Sequence, residues 1–162
     1  MRRCSYRLSW LVMVVATASI SASAMAQPAL VELLAGRWSG WGNVTLAGGQ
    51  AEEVKCIATY TAATAAVGIE QGLRCASASY RIDATALLAF EGEVVTGAWT
   101  ERANASTGTI SGRASSAGLL LAIGGDTFSA SLVLTASACK HAIVISPDGL
   151  AVSRIAIRFE RC

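Results

Sequence analysis

The sequence predicts an all-β fold, an antiparallel up-and-down meander of eight to ten strands that closes into a barrel after one short helix. Three observations predict this fold. Runs rich in Val, Ile, Thr and aromatic residues recur about every ten positions between short Gly-containing or polar turns. Apolar and polar residues alternate with a period of two inside these runs. No interval between them is long enough for a helical crossover, so neighbouring strands should pair. A two-sheet β-sandwich is the alternative architecture.

Residues 1–26 have the order of features expected of a secretory signal peptide. Three arginines lie within the first seven residues, an apolar run covers 8–20, and Ala24-Met25-Ala26 forms a small-residue cleavage site before Gln27. The alternative, a membrane anchor, would need about 20 apolar residues to cross a bilayer as a helix. We therefore predict cleavage after residue 26 and a periplasmic or secreted domain at 27–162 that does not span a membrane.

The elements of this domain follow in order. A helix is predicted at Pro28–Leu34, where Pro favours the first turn and Gly36 ends the run. Alternation is clearest at 80–90 and 127–135, each with one apolar and one polar face. The candidate segments for these eight to ten strands are 37–46, 52–61, 69–77, 80–90, 94–102, 108–114, 119–123, 127–135, 142–146 and 152–161.

Four cysteines follow residue 26, and an even number in an exported domain predicts two disulfides. Cys56 and Cys75 flank a hairpin with its turn near residue 65, which places them opposite each other. Cys139 and Cys162 pair by elimination. A tight turn at Asp148-Gly149 would leave Cys162 about four residues too far along the last strand, so this pair requires a wider loop or a bulge. The alternative is that Cys162 pairs with another chain.

Charge argues against an electrostatic partner. Ten Lys and Arg residues and eleven Asp and Glu residues follow residue 26, so the net charge of this part is −1. Nucleic-acid binding usually needs a clustered basic face. We therefore expect no nucleic acid among the partners.

Gly36-Arg37-Trp38 resembles the Gly-x-Trp start of the calycin barrels, the lipocalins and avidins. In those families the Trp closes one end of the barrel and an Arg from the last strand packs across it. The resemblance covers the two ends of the chain and implies this role for Trp38 and for Arg154, Arg158 or Arg161. It implies a barrel and at most a cavity, without ligand-binding residues. An early Trp-Ser-Gly and a central Gly-x-Trp-Thr-Glu also resemble small exported bacterial proteins of unknown function.

Aromatic residues and one acid are the candidate ligand-binding positions: Trp38, Trp41, Trp99 and Glu101. Small residues at presumed inward positions leave room for a small, apolar or sugar-like ligand inside a barrel; these are Ala58, Ala84, Ala86, Gly97 and Ala130. The alternative is that the aromatic rings fill the core and the barrel has no void.

No catalytic, metal-binding or cofactor-binding residues are predicted. His141 is the single histidine, no Gly-x-Ser-x-Gly motif is present, and the cysteines are assigned to disulfides. His141 is therefore predicted to be a wall residue. Scattered aromatic residues and the two disulfides also disfavour an outer-membrane barrel.

We accordingly expect a non-enzymatic exported protein that binds a small apolar ligand. The alternative is an interaction module that binds an envelope protein or inhibits a secreted hydrolase, and an enzyme ranks third. The oligomeric state is left open.

Overall fold

The computed structural model describes residues 26–64 and 67–162. In these residues a short helix, α1, is followed by ten strands. The elements are α1 Ala26–Leu34, β1 Gly36–Leu46, β2 Ala51–Ala62, β3 Gly68–Ala76, β4 Arg81–Glu91, β5 Val94–Glu101, β6 Ser106–Ser115, β7 Gly118–Gly125, β8 Ser129–Ala136, β9 Lys140–Asp148 and β10 Val152–Glu160. The predicted signal peptide, apart from Ala26, lies outside the described residues.

The ten strands form a closed barrel. Each strand pairs antiparallel with its neighbour in sequence, and β1 pairs with β10 through eight registered positions from Ser39–Glu160 to Leu46–Val152. Closure removes the free strand edges that an open meander would expose. The predicted all-β, up-and-down barrel with a short leading helix is confirmed, and the sandwich alternative is wrong.

Small or apolar residues alternate with polar ones along the strands, and this alternation determines which side chains face the barrel interior. In β1 the buried positions are Trp38, Gly40, Gly42 and Val44, and the residues between them are exposed. In β8 the buried positions are Ala130, Leu132 and Leu134. Each strand therefore has one face towards the barrel interior and one towards solvent, as a period of two requires.

Helix α1 closes one end of the barrel. Leu30 and Leu34 are fully buried, and the helix contacts β2, β6 and β8. The Leu34 carbonyl accepts a hydrogen bond of 2.7 Å from the Trp38 indole nitrogen. This bond connects the last turn of the helix to the first strand. It also gives a hydrogen-bond donor to one of the carbonyls that have no partner within the helix. The opposite end of the barrel, where β1 and β9 finish, has no helix among the described residues.

Both predicted disulfides are present within the chain. Cys56 and Cys75 are direct register partners of β2 and β3, as predicted. The turn between β9 and β10 is wider than Asp148-Gly149 alone, because Phe159 pairs with His141. This register brings Cys162 within 5.3 Å of Cys139, measured between Cα atoms. Two disulfides indicate an oxidising environment outside the cytoplasm.

In the part of the chain that the structure describes, no helix has the length and apolar character needed to cross a bilayer.

Candidate functional site

The closed end of the barrel is filled by aromatic rings under one arginine. The Arg161 guanidinium lies 4.3 Å from the centroid of the Trp38 ring. Its nitrogens donate hydrogen bonds to the Ala35 carbonyl at 2.6 Å and to the Ala138 carbonyl at 3.1 and 3.3 Å. Of the three arginines considered, Arg161 therefore packs across the Trp of the Gly-x-Trp start. This end is therefore a plug of packed aromatic rings.

His141 lies within this plug and is buried. Its ring stacks on Phe159 with centroids 4.4 Å apart, and it meets the Trp38 ring edge-on at 4.6 Å. Its Nε2 is hydrogen-bonded to the Tyr60 hydroxyl at 3.1 Å. Burial and the nearby Arg161 charge lower the pKa of His141 to about 4. The histidine is therefore neutral at neutral pH and belongs to the wall, as the sequence predicted.

A cavity of about 230 Å³ lies at the end of the barrel away from α1. Its wall is mainly aliphatic and aromatic, with contributions from Leu73, Ile82, Ile110, Ile123, Phe128 and Ile145. Pro147 and Leu150, in and after the end of β9, lie at its rim. The polar residues on the inward strand faces are Gln71 and Glu101; Thr85 also borders the cavity, but its hydroxyl lies on the outer face, 2.8 Å from the Thr100 hydroxyl. Such a cavity is chemically suited to an apolar molecule with one or two polar atoms.

Three alanines of the inner wall make room for this cavity. Ala84 and Ala86 on β4 and Ala130 on β8 all line it. Side chains of leucine size at these positions would occupy the space, since interiors are otherwise close-packed. The two other small inward residues predicted to leave room, Ala58 and Gly97, do not line it.

Trp99 is held rigidly in the cavity wall. Its indole nitrogen donates a hydrogen bond of 3.0 Å to the Gly124 carbonyl on β7. The ring lies against Gly108 of the intervening strand, where an added Cβ would be 2.6 Å from the indole nitrogen. Its other neighbour is Phe128, with ring centroids 5.6 Å apart. The absence of a side chain at residue 108 therefore leaves room for the indole ring of Trp99.

Glu101 lines the same cavity but is engaged by the loop between β5 and β6. Its carboxylate accepts hydrogen bonds from the backbone N–H groups of Asp83, Ala103 and Asn104 and from the Asn104 side chain, at 2.7 to 3.0 Å. Burial raises the pKa of Glu101, but these hydrogen bonds to the charged form outweigh it, and the pKa is lowered overall. Glu101 is thus an ionised loop anchor at the cavity wall.

The structure brings together two of the four candidate ligand-binding residues. Trp99 and Glu101 line the cavity, and contact with a ligand stays a prediction for both. Trp38 is fully buried in the plug at the other end. Trp41 is 49% exposed on the outer face of β1, because it lies three positions after the inward Trp38 and an odd offset reverses the face. Neither Trp38 nor Trp41 lines this cavity.

The remaining wall residues were not singled out from the sequence. Phe128, Leu132 and Ile155 lie on runs whose alternation already marked them as inward. Alternation distinguishes inside from outside but does not indicate at which level along the barrel a void lies. That level depends on where α1 enters, which is a tertiary contact.

Comparison with known proteins identifies the fold. Neither a protein-family model nor a curated protein sequence matches the chain. A solved structure similar to this chain is that of the S-type phycobiliprotein lyase from Guillardia theta, with a TM-score of 0.65 and 12% sequence identity. The match covers 85% of this chain and 93% of the lyase chain. The closed ten-stranded barrel is thus calycin-like, and the similarity at this identity concerns the fold.

Proposed function

We propose that this protein is a non-enzymatic carrier that holds a small, largely apolar ligand at the open end of its barrel, in the periplasm or outside the cell. The observation that supports this proposal is the apolar cavity of about 230 Å³ that Trp99 helps to line. The calycin-like fold is compatible with it, since such barrels can enclose a single ligand.

The volume limits the ligand to a small molecule or to the end of a longer one. An apolar cavity of about 150 Å³ holds one benzene molecule, and drug-sized ligands require about 300 Å³ or more. This cavity lies between those values. A bicyclic aromatic compound or a short branched hydrocarbon would fill it, and a polar group at one end could meet Gln71.

Three features support a role without catalysis. The one histidine, His141, is packed into the opposite end of the barrel. The one carboxylate at the cavity, Glu101, has a lowered pKa and is occupied by hydrogen bonds, which makes it a poor general base. Among the described residues no group of His, Cys, Asp or Glu is arranged to hold a metal ion.

A volume-filling substitution tests the proposal. Naphthalene serves as the probe, and its binding is followed by quenching of tryptophan fluorescence and by native mass spectrometry. We expect Ala130→Leu to lower naphthalene affinity at least about tenfold, because the added side chain occupies the cavity. Ala122→Leu is the matched control: Ala122 lies on the neighbouring strand β7 and faces solvent.

Native mass spectra are also recorded for the protein as it is isolated from a bacterial periplasm, without added naphthalene. A small molecule retained by the wild type and absent from Ala130→Leu would support the carrier role and provide the ligand's mass. Absence of naphthalene binding in the wild type, or equal binding by the two alanine variants, would contradict it.

A further inference from the structure

A basic groove runs along the outer face of β2, β3 and β4, on the opposite side of the wall from the cavity. Its volume is about 510 Å³, and it continues into a second depression further along the same strands. Ile57, Arg74, Asp83 and Arg102 line both parts. We define the basic groove by its five cationic side chains, Arg37, Lys55, Arg74, Arg81 and Arg102.

Charge is strongly segregated between this groove and the rest of the chain. Half of the ten Lys and Arg residues that follow residue 26 line it, with Asp83 as the one acidic lining residue out of eleven. The nearest outward carboxylates along the same strands, Glu53 on β2 and Glu70 on β3, lie outside the lining. A surface with a net charge of −1 overall therefore contains one strongly positive concavity, which raises the local concentration of anions.

Asp83 holds two of the arginines on either side of itself. Its carboxylate lies 3.6 Å from Arg74 Nε and 4.0 Å from Arg102 Nη1. The side chains of these two arginines are 72% and 64% exposed, so most of their N–H groups remain accessible. One carboxylate shared by two guanidinium groups leaves them one positive charge in excess. In the described part of the chain, Arg37, Lys55 and Arg81 form no ion pair that would neutralise their own charge.

The floor of the groove is made of small and apolar groups. Gly72 lies between Thr59 and Thr85 in the register of β2, β3 and β4, and an added Cβ at Gly72 would meet Thr59 Oγ1 at 3.7 Å. Ala76 lies between Lys55 and Arg81 in the same way. The cationic side chains therefore surround a floor of small residues, so several of them can contact one bound anion.

From this arrangement we infer that the basic groove binds a phosphate-bearing anion. Four of its five cations are arginines, whose planar fork matches phosphate oxygens in a bidentate manner. The positive charge that remains in the groove after Asp83 is counted is larger than a ligand with a single carboxylate would neutralise. A dianionic phosphate neutralises more of it. A free phosphate compound and the headgroup of an anionic lipid both present this chemistry.

Two probes distinguish the two sources. Pyrophosphate is titrated into the protein by calorimetry, and co-sedimentation is measured with vesicles of phosphatidylcholine containing phosphatidic acid, both at low ionic strength. Binding of pyrophosphate supports a free phosphate compound. Sedimentation with the acidic vesicles, but not with pure phosphatidylcholine, supports a lipid headgroup. In each case added salt should weaken binding, because the contacts are exposed and screened.

Charge-neutral variants assign the binding to the groove. We expect Arg74→Gln with Arg102→Gln to weaken binding of the positive probe at least about tenfold. Arg113→Gln is the matched control, since Arg113 is equally exposed and lies 3.7 Å from the Glu93 carboxylate on another part of the barrel. Ala130→Leu should leave this binding unchanged, which separates the groove from the cavity. No binding of either probe, or an equal loss in the control, would overturn the inference.

Discussion

His141 is a buried base beside a permanent cation. Its ring is 3% exposed and enclosed by Trp38, Tyr60 and Phe159. Its Nε2 has a partner in the Tyr60 hydroxyl, whereas Nδ1 has none among the described residues. Protonation would place a second positive charge close to Arg161 in a site with little water. The neutral ring is therefore part of what keeps the plug folded.

This placement predicts a loss of stability in mild acid. The folded-state pKa of about 4 lies below the ordinary value of 6.5, so the unfolded chain takes up a proton first as the pH falls. Stability is thus full above pH 6.5 and declines towards pH 4, by about 2 kcal/mol between pH 7 and pH 5. Urea denaturation at these two pH values measures the effect.

His141→Phe is the control for this prediction, because it keeps a stacked ring and removes the titrating group. We expect the free energy of unfolding of His141→Phe to change less than that of the wild type between pH 7 and pH 5. Parallel curves for the two proteins would show that other groups cause the pH dependence.

The residues of the candidate sites could be predicted from the sequence only in part. Trp99 and Glu101 lie two residues apart on one strand, so alternation puts them on the same face, and both line the cavity. Trp41 differs in parity from Trp38 within one strand, so the same rule places it outside. The basic groove was not expected, because the net charge of −1 conceals its local excess. Arg74, Arg81 and Arg102 meet through strand register, which composition does not contain.

At the scale of elements, each disulfide cross-links the two strands of one hairpin. Cys56–Cys75 joins β2 to β3 at registered positions inside the barrel, where both residues are buried. Cys139–Cys162 joins the residue before β9 to the second residue after β10, close to the surface. Sequence separations of 19 and 23 residues imply similar loop-closure terms for the two bonds. The two bonds differ in solvent access, since Cys139–Cys162 lies closer to the surface than the buried Cys56–Cys75.

Reduction of the native protein should therefore proceed in two stages. Dithiothreitol without denaturant is expected to open Cys139–Cys162 first, with a loss of about 3 kcal/mol in the free energy of unfolding. Cys56–Cys75 should become reducible only at higher denaturant concentration, with a second loss of similar size. Alkylation and mass spectrometry identify the reduced pair, and the double variant Cys139→Ala/Cys162→Ala should reproduce the first stage. Simultaneous reduction of both bonds would contradict this order.

Elements were the most predictable level of this structure. All ten strands and the helix lie within a few residues of their predicted bounds, because alternation and turn residues are local signals. The turn after β9 is the wider one that pairing of Cys139 with Cys162 required. Asp148-Gly149 alone would favour a tight hairpin, but the register places Phe159 opposite His141. Turn width in this case is set by cross-strand packing in the plug.

At the scale of the whole molecule, closure of the barrel depends on the seam between β1 and β10. Neither disulfide crosses this seam, since one lies in β2–β3 and the other joins the flanks of β9 and β10. The seam contains backbone hydrogen bonds and two side-chain bridges. At the open end the Ser153 hydroxyl donates to the carbonyls of Thr45 and Leu46. At the closed end Arg161 reaches from the end of β10 to Ala35 before β1.

Arg161 is therefore expected to contribute to stability beyond its own strand. It contacts the Trp38 ring and the carbonyls of Ala35 and Ala138, so it joins the starts of β1 and β9 to the end of β10. We expect Arg161→Ala to lower the free energy of unfolding by about 2 kcal/mol, from lost charged hydrogen bonds and a cation–π contact in an exposed setting. The same variant should raise the pKa of His141, because the neighbouring positive charge is removed.

Two comparisons make this last prediction specific to the seam. Arg158→Ala removes an arginine from the outer face of the same strand, where it pairs in register with Trp41 and forms no ion pair among the described residues, and should change stability by less than about 0.5 kcal/mol. Arg161→Lys keeps the charge but lacks the fork that reaches two carbonyls, so its stability should lie between those of Arg161→Ala and the wild type.

Hydrogen exchange of the β1 and β10 amides measures opening of the seam directly. Faster exchange confined to these two strands in Arg161→Ala is the expected result, whereas uniform acceleration across all ten strands would show that the arginine supports the fold generally and not the closure.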